Sequence, residues 1–167
     1  MSVKIVNIQH HHLKTLHKWE MDEELQVKTG VDVPRTFEQF RHSYGAYFSG
    51  EKPNLLLKAI ETEGRVIGKL ELFRTQKRDF LGIVVAEERG SGIGTKALQL
   101  FLDEINRDFG VKDIFAEVYE DNFESLRFFQ KNGFEWNGEQ NEELFRGMPR
   151  TLLTLQKEIK RTPAFPH

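Results

Sequence analysis

The sequence lacks cysteine altogether, has only five prolines among its 167 residues, and contains no long apolar run. The absence of cysteine excludes a disulfide framework, a thiolate zinc site, an iron–sulfur cluster and a cysteine nucleophile. No stretch approaches the roughly 18 consecutive apolar residues of a membrane-spanning helix. We therefore expect no membrane partner and no bound metal.

An excess of charge of one sign is also missing, because 24 lysines and arginines face 26 aspartates and glutamates. The net charge of −2 creates no global field that would attract nucleic acid, so we expect no nucleic-acid partner. The N-terminus carries no long apolar segment of the kind found in signal peptides. The sequence thus favours a cytoplasmic protein.

The length predicts one domain, since 167 residues lie close to the roughly 150 of a typical domain. Hydrophobic residues make up 38% and charged residues 30%, which is typical of a folded chain rather than a disordered one. We assign a single domain to residues 1–160 and a flexible C-terminal tail to residues 161–167, which contain Pro163 and Pro166.

Hydrophobic periodicity predicts helices that alternate with strands. The predicted strands cover residues 3–8, 55–60, 66–73, 79–85, 113–119 and 151–159. The predicted helices cover about 13–30, a stretch capped by Thr36, 95–107, and a short segment from Asn122 to Lys131. This order favours the α/β class, of the α+β type, with one mixed sheet flanked by helices.

The most informative segment is a glycine-rich turn between the strand at 79–85 and the following helix. Gly90, Gly92 and Gly94 alternate with other residues there, and Arg89 precedes them. Glycine brings bare N–H groups together, and the start of a helix adds partial positive charge. The turn therefore predicts a binding site for phosphate oxygens. Its residues are Arg89, Gly90, Ser91, Gly92, Ile93, Gly94 and Thr95.

Two common phosphate-binding patterns do not fit this turn. A dinucleotide fingerprint that starts at Gly90 needs a glycine where Thr95 stands. A P-loop needs four residues between its first glycine and a Gly-Lys-Ser/Thr sequence, whereas here Thr95 precedes Lys96. Nicotinamide and nucleotide enzymes are thereby disfavoured.

The glycine turn reads Arg89-x-x-Gly92-x-Gly94, and a second motif runs from Asn122 to Phe134. Together they resemble the acetyl-CoA motif and the second signature of the GNAT family of N-acetyltransferases. Softer similarities to the branch that acetylates ribosomal proteins and polyamines lie at Trp19, Thr29-Gly30, Pro34-Arg35-Thr36 and residues 138–155.

The resemblance implies a mostly antiparallel sheet, splayed open between the strands at 79–85 and 113–119. Acetyl-CoA, the co-substrate, would lie in that gap, with its pyrophosphate on residues 89–94. Its pantetheine arm would pair with the backbone of Ile83, Val84 and Val85, which extends the sheet. The second signature would add Asn122, Ser125, Phe129 and Lys131 to the cofactor site.

Acetyl transfer to an amine requires a group that takes the amine proton and a way for the thiolate to leave. Glu117 is the best candidate base, because it lies in the middle of a predicted strand and five residues before Asn122, as the base does in the GNAT family. The family's usual proton donor is a tyrosine at the position of Phe129, which cannot donate. Tyr119, on the same face as Glu117, is the nearest alternative donor.

Two functions from different classes remain open. The leading one is an N-acetyltransferase that passes acetyl from acetyl-CoA directly to a primary amine of a small molecule or peptide. The acceptor alternatives are a protein N-terminus, a polyamine, an aminoglycoside or another small amine. The second function is a CoA-binding sensor or interaction domain with little catalysis, which Phe129 motivates.

Two further features have less specific interpretations. An exposed strand edge would permit a homodimer. The consecutive histidines His10, His11 and His12 are interpreted as a solvated strand-to-helix junction, because neighbours in an extended chain point to opposite sides.

Overall fold

A computed structural model of the protein describes residues 2–87 and 90–160. The strands are β1 (Val3–Asn7), β2 (Leu55–Thr62), β3 (Arg65–Arg74), β4 (Asp79–Val85), β5 (Asp113–Tyr119), β6 (Glu135–Phe145) and β7 (Met148–Glu158). The helices are α1 (Leu13–Glu20), α2 (Glu23–Thr29), α3 (Phe37–Phe48), α4 (Ile93–Phe109) and α5 (Phe123–Lys131). The tail predicted at 161–167 lies outside the described residues, and the single domain assigned to 1–160 stays a prediction.

The strands form one seven-stranded sheet in the order β1-β2-β3-β4-β5-β7-β6. Neighbouring strands run antiparallel except for β4 and β5, which are parallel. The predicted class, a mixed and mostly antiparallel sheet with helices around it, is confirmed.

The sheet opens between β4 and β5. These two strands share a single residue pair, Phe80 with Phe115, whereas β4 follows β3 along its whole length. Beyond that pair the strands diverge, so the backbone of Ile83, Val84 and Val85 is paired with β3 on one side only. The splay predicted at this place is therefore present.

Apolar clusters cover both faces of the sheet. On one face α4 packs its buried side against β3 and β5, with Phe101 and Ile105 completely buried. On the other face α1 and α3 pack against β2, around Phe40 and Leu57. The four-residue spacing predicted for α4 holds, because Ile93, Ala97, Phe101 and Ile105 all face the core. Among the described residues, no helix is both long and apolar enough to cross a bilayer.

The N-terminal helical segment differs from the prediction of one helix over residues 13–30. It consists of two helices, α1 and α2, and the second begins anew at Asp22. The Asp22 side chain accepts a hydrogen bond from the backbone N–H of Leu25, 3.0 Å away, which is how an N-cap starts a helix. The helical spacing of Leu13, Leu16, Trp19 and Met21 stops at this break but does not by itself show that a second helix begins there.

Strand β6 was missed in the sequence because its residues are almost all exposed and polar. It lies at the sheet edge and is held by backbone pairing with β7, which itself begins at Met148 rather than at Thr151. An edge strand that buries little apolar area leaves no periodic hydrophobic signal.

Gly68 in β3 supplies a test of the packing between β3 and its neighbours. A Cβ at this buried position would lie 2.5 Å from the carbonyl oxygen of Val84 and 2.9 Å from Cδ1 of Ile60. We expect Gly68→Ala to lower the free energy of unfolding by about 1–3 kcal/mol, because backbone must shift to make room. Urea denaturation measures the effect.

The matched control is Gly45→Ala in α3, where a Cβ would have nothing within 4 Å. Alanine in a helix interior is favoured over glycine, so this variant should gain roughly 0.5–1 kcal/mol. Equal stabilities of the two variants would contradict the packing described for β3.

Candidate active site

The opening of the sheet forms a groove of about 400 Å³. One wall is β4 and the turn that leads into α4, a second is α5, and α2 contributes the third. The predicted cofactor residues that line it are Ile83, Val84, Val85, Gly90, Gly92, Gly94, Thr95, Asn122, Ser125 and Lys131. Residues from two motifs about 35 positions apart thus meet in one groove.

The glycine turn has the backbone geometry that glycine permits. Gly90 and Gly92 have φ angles of +85° and +82°, and Gly92 is the N-cap of α4. Gly94 lies against Phe128, with only 3.1 Å from a hypothetical Cβ to the ring, so a larger residue would push α4 and α5 apart. The turn therefore points the free N–H groups at the start of α4 toward the groove end.

Three residues of the predicted phosphate-binding turn are not among the described residues that line the groove. Arg89 lies outside the described residues. Ile93 is buried in the core with 4% exposure and anchors the helix rather than facing the groove. Ser91 is exposed in the turn itself.

Asn122 joins the groove to α2. Its side-chain oxygen accepts from the backbone N–H of Ser125 at 3.2 Å and caps α5, as predicted. Its side-chain nitrogen donates to the carbonyl oxygen of Lys28 at 3.5 Å. One side chain thus starts α5 and ties α2 to the open edge of the sheet.

A second, larger cavity of about 710 Å³ adjoins the groove, and we call it the acceptor cavity after the amine acceptor that the sequence leads us to expect. Four glutamates, Glu20, Glu71, Glu117 and Glu143, line it. Phe129 also lines this cavity rather than the groove, and its ring is 96% buried against Phe128 and Phe134. Groove and cavity share the lining residues Leu25, Lys28, Thr29, Ile83, Val84, Asn122 and Ser125, and there the two spaces join.

The carboxyl group of Glu117 has its pKa raised above the ordinary value. Partial burial is the main cause, although the side chain remains exposed at the cavity surface; the negative charge of Glu143 adds to the rise, while Arg78 opposes it. A carboxylate with a raised pKa holds a proton more readily, which suits a base that must take a proton from an amine. Glu117 lies in the wall of the acceptor cavity.

Tyr119 lies in the same cavity as Glu117, but its hydroxyl is already engaged. It donates to Oε2 of Glu143 at 2.7 Å, and the guanidinium carbon of Arg150 lies 3.7 Å from its ring centroid. Burial and this hydrogen bond raise the pKa of Tyr119 to about 12. Gly30, with φ +76°, lies so close that any side chain there would collide with the tyrosine ring.

Glu20 is neutralised by Arg35. The guanidinium of Arg35 donates to both carboxylate oxygens of Glu20, at 2.6 and 3.0 Å, and the Arg35 backbone N–H donates at 2.9 Å. Burial alone would raise the pKa of Glu20, but these bonds keep it below the ordinary value. This pair fixes the chain after α2 against α1 on one side of the cavity.

The histidine run does not form the solvated, extended junction predicted for it. His10–His12 is a turn of 3-10 helix, and His12 is buried beside Glu61, with Nε2 3.0 Å from Oε2. His11, His12 and Glu61 bring their potential ligand atoms within 4.8 Å of one another. However, Nδ1 of His12 accepts from the backbone N–H of Gln9, so the proton must be on Nε2 and no lone pair is left for a metal.

Sequence reasoning missed several residues of the site. Glu71 and Gly82 come from β3 and β4, Glu143 comes from the missed edge strand β6, and Lys28 comes from α2. The alternation of Lys69 and Glu71 with Leu70 and Leu72 did indicate a polar face on β3. The strand order decides which strands lie beside this polar face of β3. No local sequence pattern reveals that order.

The comparisons with known proteins agree with this architecture. A sequence model of the acetyltransferase (GNAT) domain matches residues 3–135. The N-acetyltransferase 9-like protein of Caenorhabditis briggsae is 27% identical over 139 residues, which are 74% of this chain and 70% of that protein.

Two solved structures have the same fold at low identity. The Vibrio cholerae spermidine N-acetyltransferase in complex with CoA and spermine superposes with a TM-score of 0.84, at 16% identity, over 94% of this chain and 95% of that one. The ribosomal L7/L12 alpha-N-protein acetyltransferase RimL gives a TM-score of 0.80 at 18% identity, over 95% and 91% of the two chains.

The fold is thus that of an acyltransferase whose open sheet forms the cofactor groove. The chain belongs to the acetyltransferase (GNAT) family, which confirms the resemblance found in the sequence. It is an N-acetyltransferase with acetyl-CoA as its co-substrate.

The coupling between Glu143 and Glu117 can be tested by titration. We expect Glu143→Gln to lower the pKa of Glu117, because a like charge is removed while the burial that also raises this pKa remains. Carboxyl-carbon NMR, with Glu117 assigned by its own substitution, measures the shift.

The neighbouring exposed residue offers the control for this titration. Glu142→Gln should leave the Glu117 resonance titrating as in the wild type, since Glu142 does not contribute to the raised pKa. An unchanged titration in Glu143→Gln as well would contradict the coupling.

Proposed function

We propose that this protein transfers acetyl from acetyl-CoA to a primary amine by direct attack within a ternary complex. The observation that carries the proposal is the junction between the groove and the acceptor cavity. The groove is lined by both cofactor motifs, and the cavity beside it contains a carboxylate with a raised pKa.

The cofactor would be held by backbone more than by side chains. The free edge of Ile83, Val84 and Val85 offers hydrogen bonds to the amide groups of a pantetheine arm, as an added strand would. The turn at residues 90–95, with Arg89 before it, offers N–H groups and positive charge to the pyrophosphate. Asn122 and Ser125 line the groove where it meets the cavity, and Lys131 offers an ammonium group elsewhere along it.

Glu117 is proposed as the base. It takes a proton from the acceptor, directly or through water, and the freed nitrogen then attacks the thioester carbon. The new N–C bond forms as the C–S bond breaks, and the electron pair of that bond leaves with sulfur. Because the chain has no cysteine, acetyl cannot pass through a cysteine intermediate.

Two groups are candidates for assisting the leaving thiolate. Tyr119 is the donor proposed from the sequence, yet its proton is shared with Glu143 and its pKa is about 12. Ser125 lines both the groove and the cavity, and its hydroxyl is the second candidate. A thiol with a pKa near ~8.5 makes a tolerable leaving group even with a hydrogen bond alone.

The acceptor is proposed to be a primary amine of a small molecule or peptide. One similar structure is a spermidine acetyltransferase holding spermine, and another acetylates the N-terminus of a ribosomal protein. A polyamine, a peptide N-terminus and an aminoglycoside therefore form the first panel of acceptors. A cytoplasmic location and pairing of exposed strand edges into a homodimer stay predictions.

Cofactor binding can be tested through the glycine turn. Wild-type protein should bind acetyl-CoA in a calorimetric titration. Gly92→Ala should weaken that binding about tenfold, because alanine resists a φ of +82° by roughly 1–2 kcal/mol and redirects the N–H groups that start α4.

A glycine with the same backbone conformation lines neither the groove nor the acceptor cavity and serves as control. Gly50 has a φ of +84° and, like Gly92, has open space around a hypothetical Cβ. Gly50→Ala should cost similar stability and leave acetyl-CoA affinity unchanged. Absence of any binding by the wild type would refute the proposed function.

The base is tested by turnover with the acceptor panel, detected as released CoA thiol. Glu117→Gln should reduce kcat by about 100- to 10,000-fold, since a general base is lost while shape is retained. In the wild type kcat/KM should fall as the pH drops through the pKa of Glu117, which is raised above its ordinary value. Glu142→Gln should keep wild-type rates.

The same assay separates the two thiolate donors and the alternative function. A loss in Tyr119→Phe as large as in Glu117→Gln would assign the proton to Tyr119, whereas retained activity would favour Ser125 or water. The second candidate, a CoA-binding sensor with little catalysis, rests on Phe129, which has no hydroxyl to donate a proton. Tight acetyl-CoA binding with no turnover on any amine would favour it.

A further inference from the structure

The four glutamates of the acceptor cavity fall into two pairs. Glu20 is bound by Arg35 through three hydrogen bonds, and Glu143 accepts the hydroxyl proton of Tyr119. In contrast, the carboxylates of Glu71 and Glu117 accept no hydrogen bond and form no close ion pair with any residue in 2–87 or 90–160, although the charge of Arg78 acts on Glu117 from farther away. Two carboxylates are thus available in this cavity for a cationic ligand.

These two carboxylates lie on opposite sides of a glycine. Glu71 in β3 pairs directly with Gly82 in β4. The pair of Phe80 with Phe115, two residues earlier on both parallel strands, places Gly82 level with Glu117 in β5. Glu71, Gly82 and Glu117 therefore form one row across three strands, and all three line the acceptor cavity.

The missing side chain at Gly82 opens a slot within this row. A Cβ there would point toward the Glu71 carboxyl group and lie 3.9 Å from its Cδ and Oε1. Paired strands are about 4.8 Å apart, which holds for Glu71 and Gly82, whereas β5 has already diverged from β4 at Glu117, so the backbones of Glu71 and Glu117 are separated by more than roughly 10 Å. The slot is wide enough for an ammonium group between two carboxylates.

We propose that Glu71 is a second acceptor-binding carboxylate, which holds the acceptor as its ammonium form over Gly82 and beside Glu117. The inference rests on the proposed acetyl transfer and adds the residue that selects the acceptor by charge. Aliphatic amines are cationic near neutral pH, and a partly buried carboxylate without a partner attracts such a cation more strongly than one in open water.

The acceptor selected by this row has a single positive charge at its reacting end. Lys69 lies two residues before Glu71 on the same strand and lines the same cavity. Lys28 and Arg35 line it as well, so four glutamates face three cations and the lining as a whole has an excess of one negative charge. An acceptor with one ammonium group at the reacting end matches this arrangement, and further charges would lie outside the slot.

The test compares steady-state kinetics of Glu71→Gln with those of the wild type on spermidine, a short peptide with a free N-terminus and an aminoglycoside. We expect KM for each acceptor that is used to rise about 10- to 100-fold, because a hydrogen bond to a charged partner is lost. The value of kcat should stay within a few-fold, since Glu117 still takes the proton. Glu71→Asp should restore part of the affinity.

Gly82→Val supplies an independent variant that fills the slot without touching either carboxylate. Valine suits a strand, so the fold should be retained, while KM for the acceptor should rise as in Glu71→Gln. Gly82→Ala should have a smaller effect, since its Cβ makes only ordinary contacts with Glu71. Glu135→Gln, on the exposed edge strand β6, is the control with wild-type kinetics.

The outcomes separate this inference from the function on which it rests. A wild type that acetylates no amine refutes the proposed function and this role with it. Turnover by the wild type with an unchanged KM in Glu71→Gln overturns the role of Glu71 alone. An equal loss of acetyl-CoA affinity or melting temperature in Glu71→Gln also overturns it, because Glu71 lines the acceptor cavity and not the groove.

Discussion

Strands β4 and β5 are joined through one residue pair, Phe80 with Phe115, and most of the site depends on how they part beyond it. The divergence leaves one edge of Ile83, Val84 and Val85 without a strand partner inside the sheet. Backbone N–H and C=O groups in such a place need partners, and an extended ligand with amide groups can supply them. The same divergence separates the groove from the acceptor cavity and lets them meet at a shared wall.

The wall opposite β4 is assembled from segments far apart in the chain. Helix α2 is tied to β7 by Arg150, which donates to the carbonyl oxygen of Val27 and pairs with Asp121 at 2.9 Å. The loop between β6 and β7 adds a bond from Arg146 to Gln26 at 2.7 Å. These contacts place Lys28 and Thr29 at the junction of groove and cavity. They also engage the guanidinium groups of Arg146 and Arg150 in hydrogen bonds within the protein.

Local sequence patterns predicted the parts of the fold that bury a periodic apolar face. Helix α4 follows the four-residue spacing of its core residues, and β5 is a run of mostly buried apolar residues, so both were found with nearly correct ends. The break between α1 and α2 was lost because one capping side chain, Asp22, decides it. Strand β6 was lost because its backbone pairing with β7, rather than its side chains, holds it in the sheet.

The cofactor side of the site was determined by the sequence itself, because its chemistry is local. A glycine turn at the end of a strand and a capped helix after the next strand carry their geometry in a few adjacent residues, and Glu117 could be placed on its face by alternation alone. The acceptor side was decided by the tertiary structure. Glu71 and Gly82 become neighbours of Glu117 only when β3, β4 and β5 lie side by side in register, and Glu143 reaches Tyr119 only through the edge strand. Such contacts depend on strand order, and strand order is set by the packing of the whole sheet rather than by any single segment.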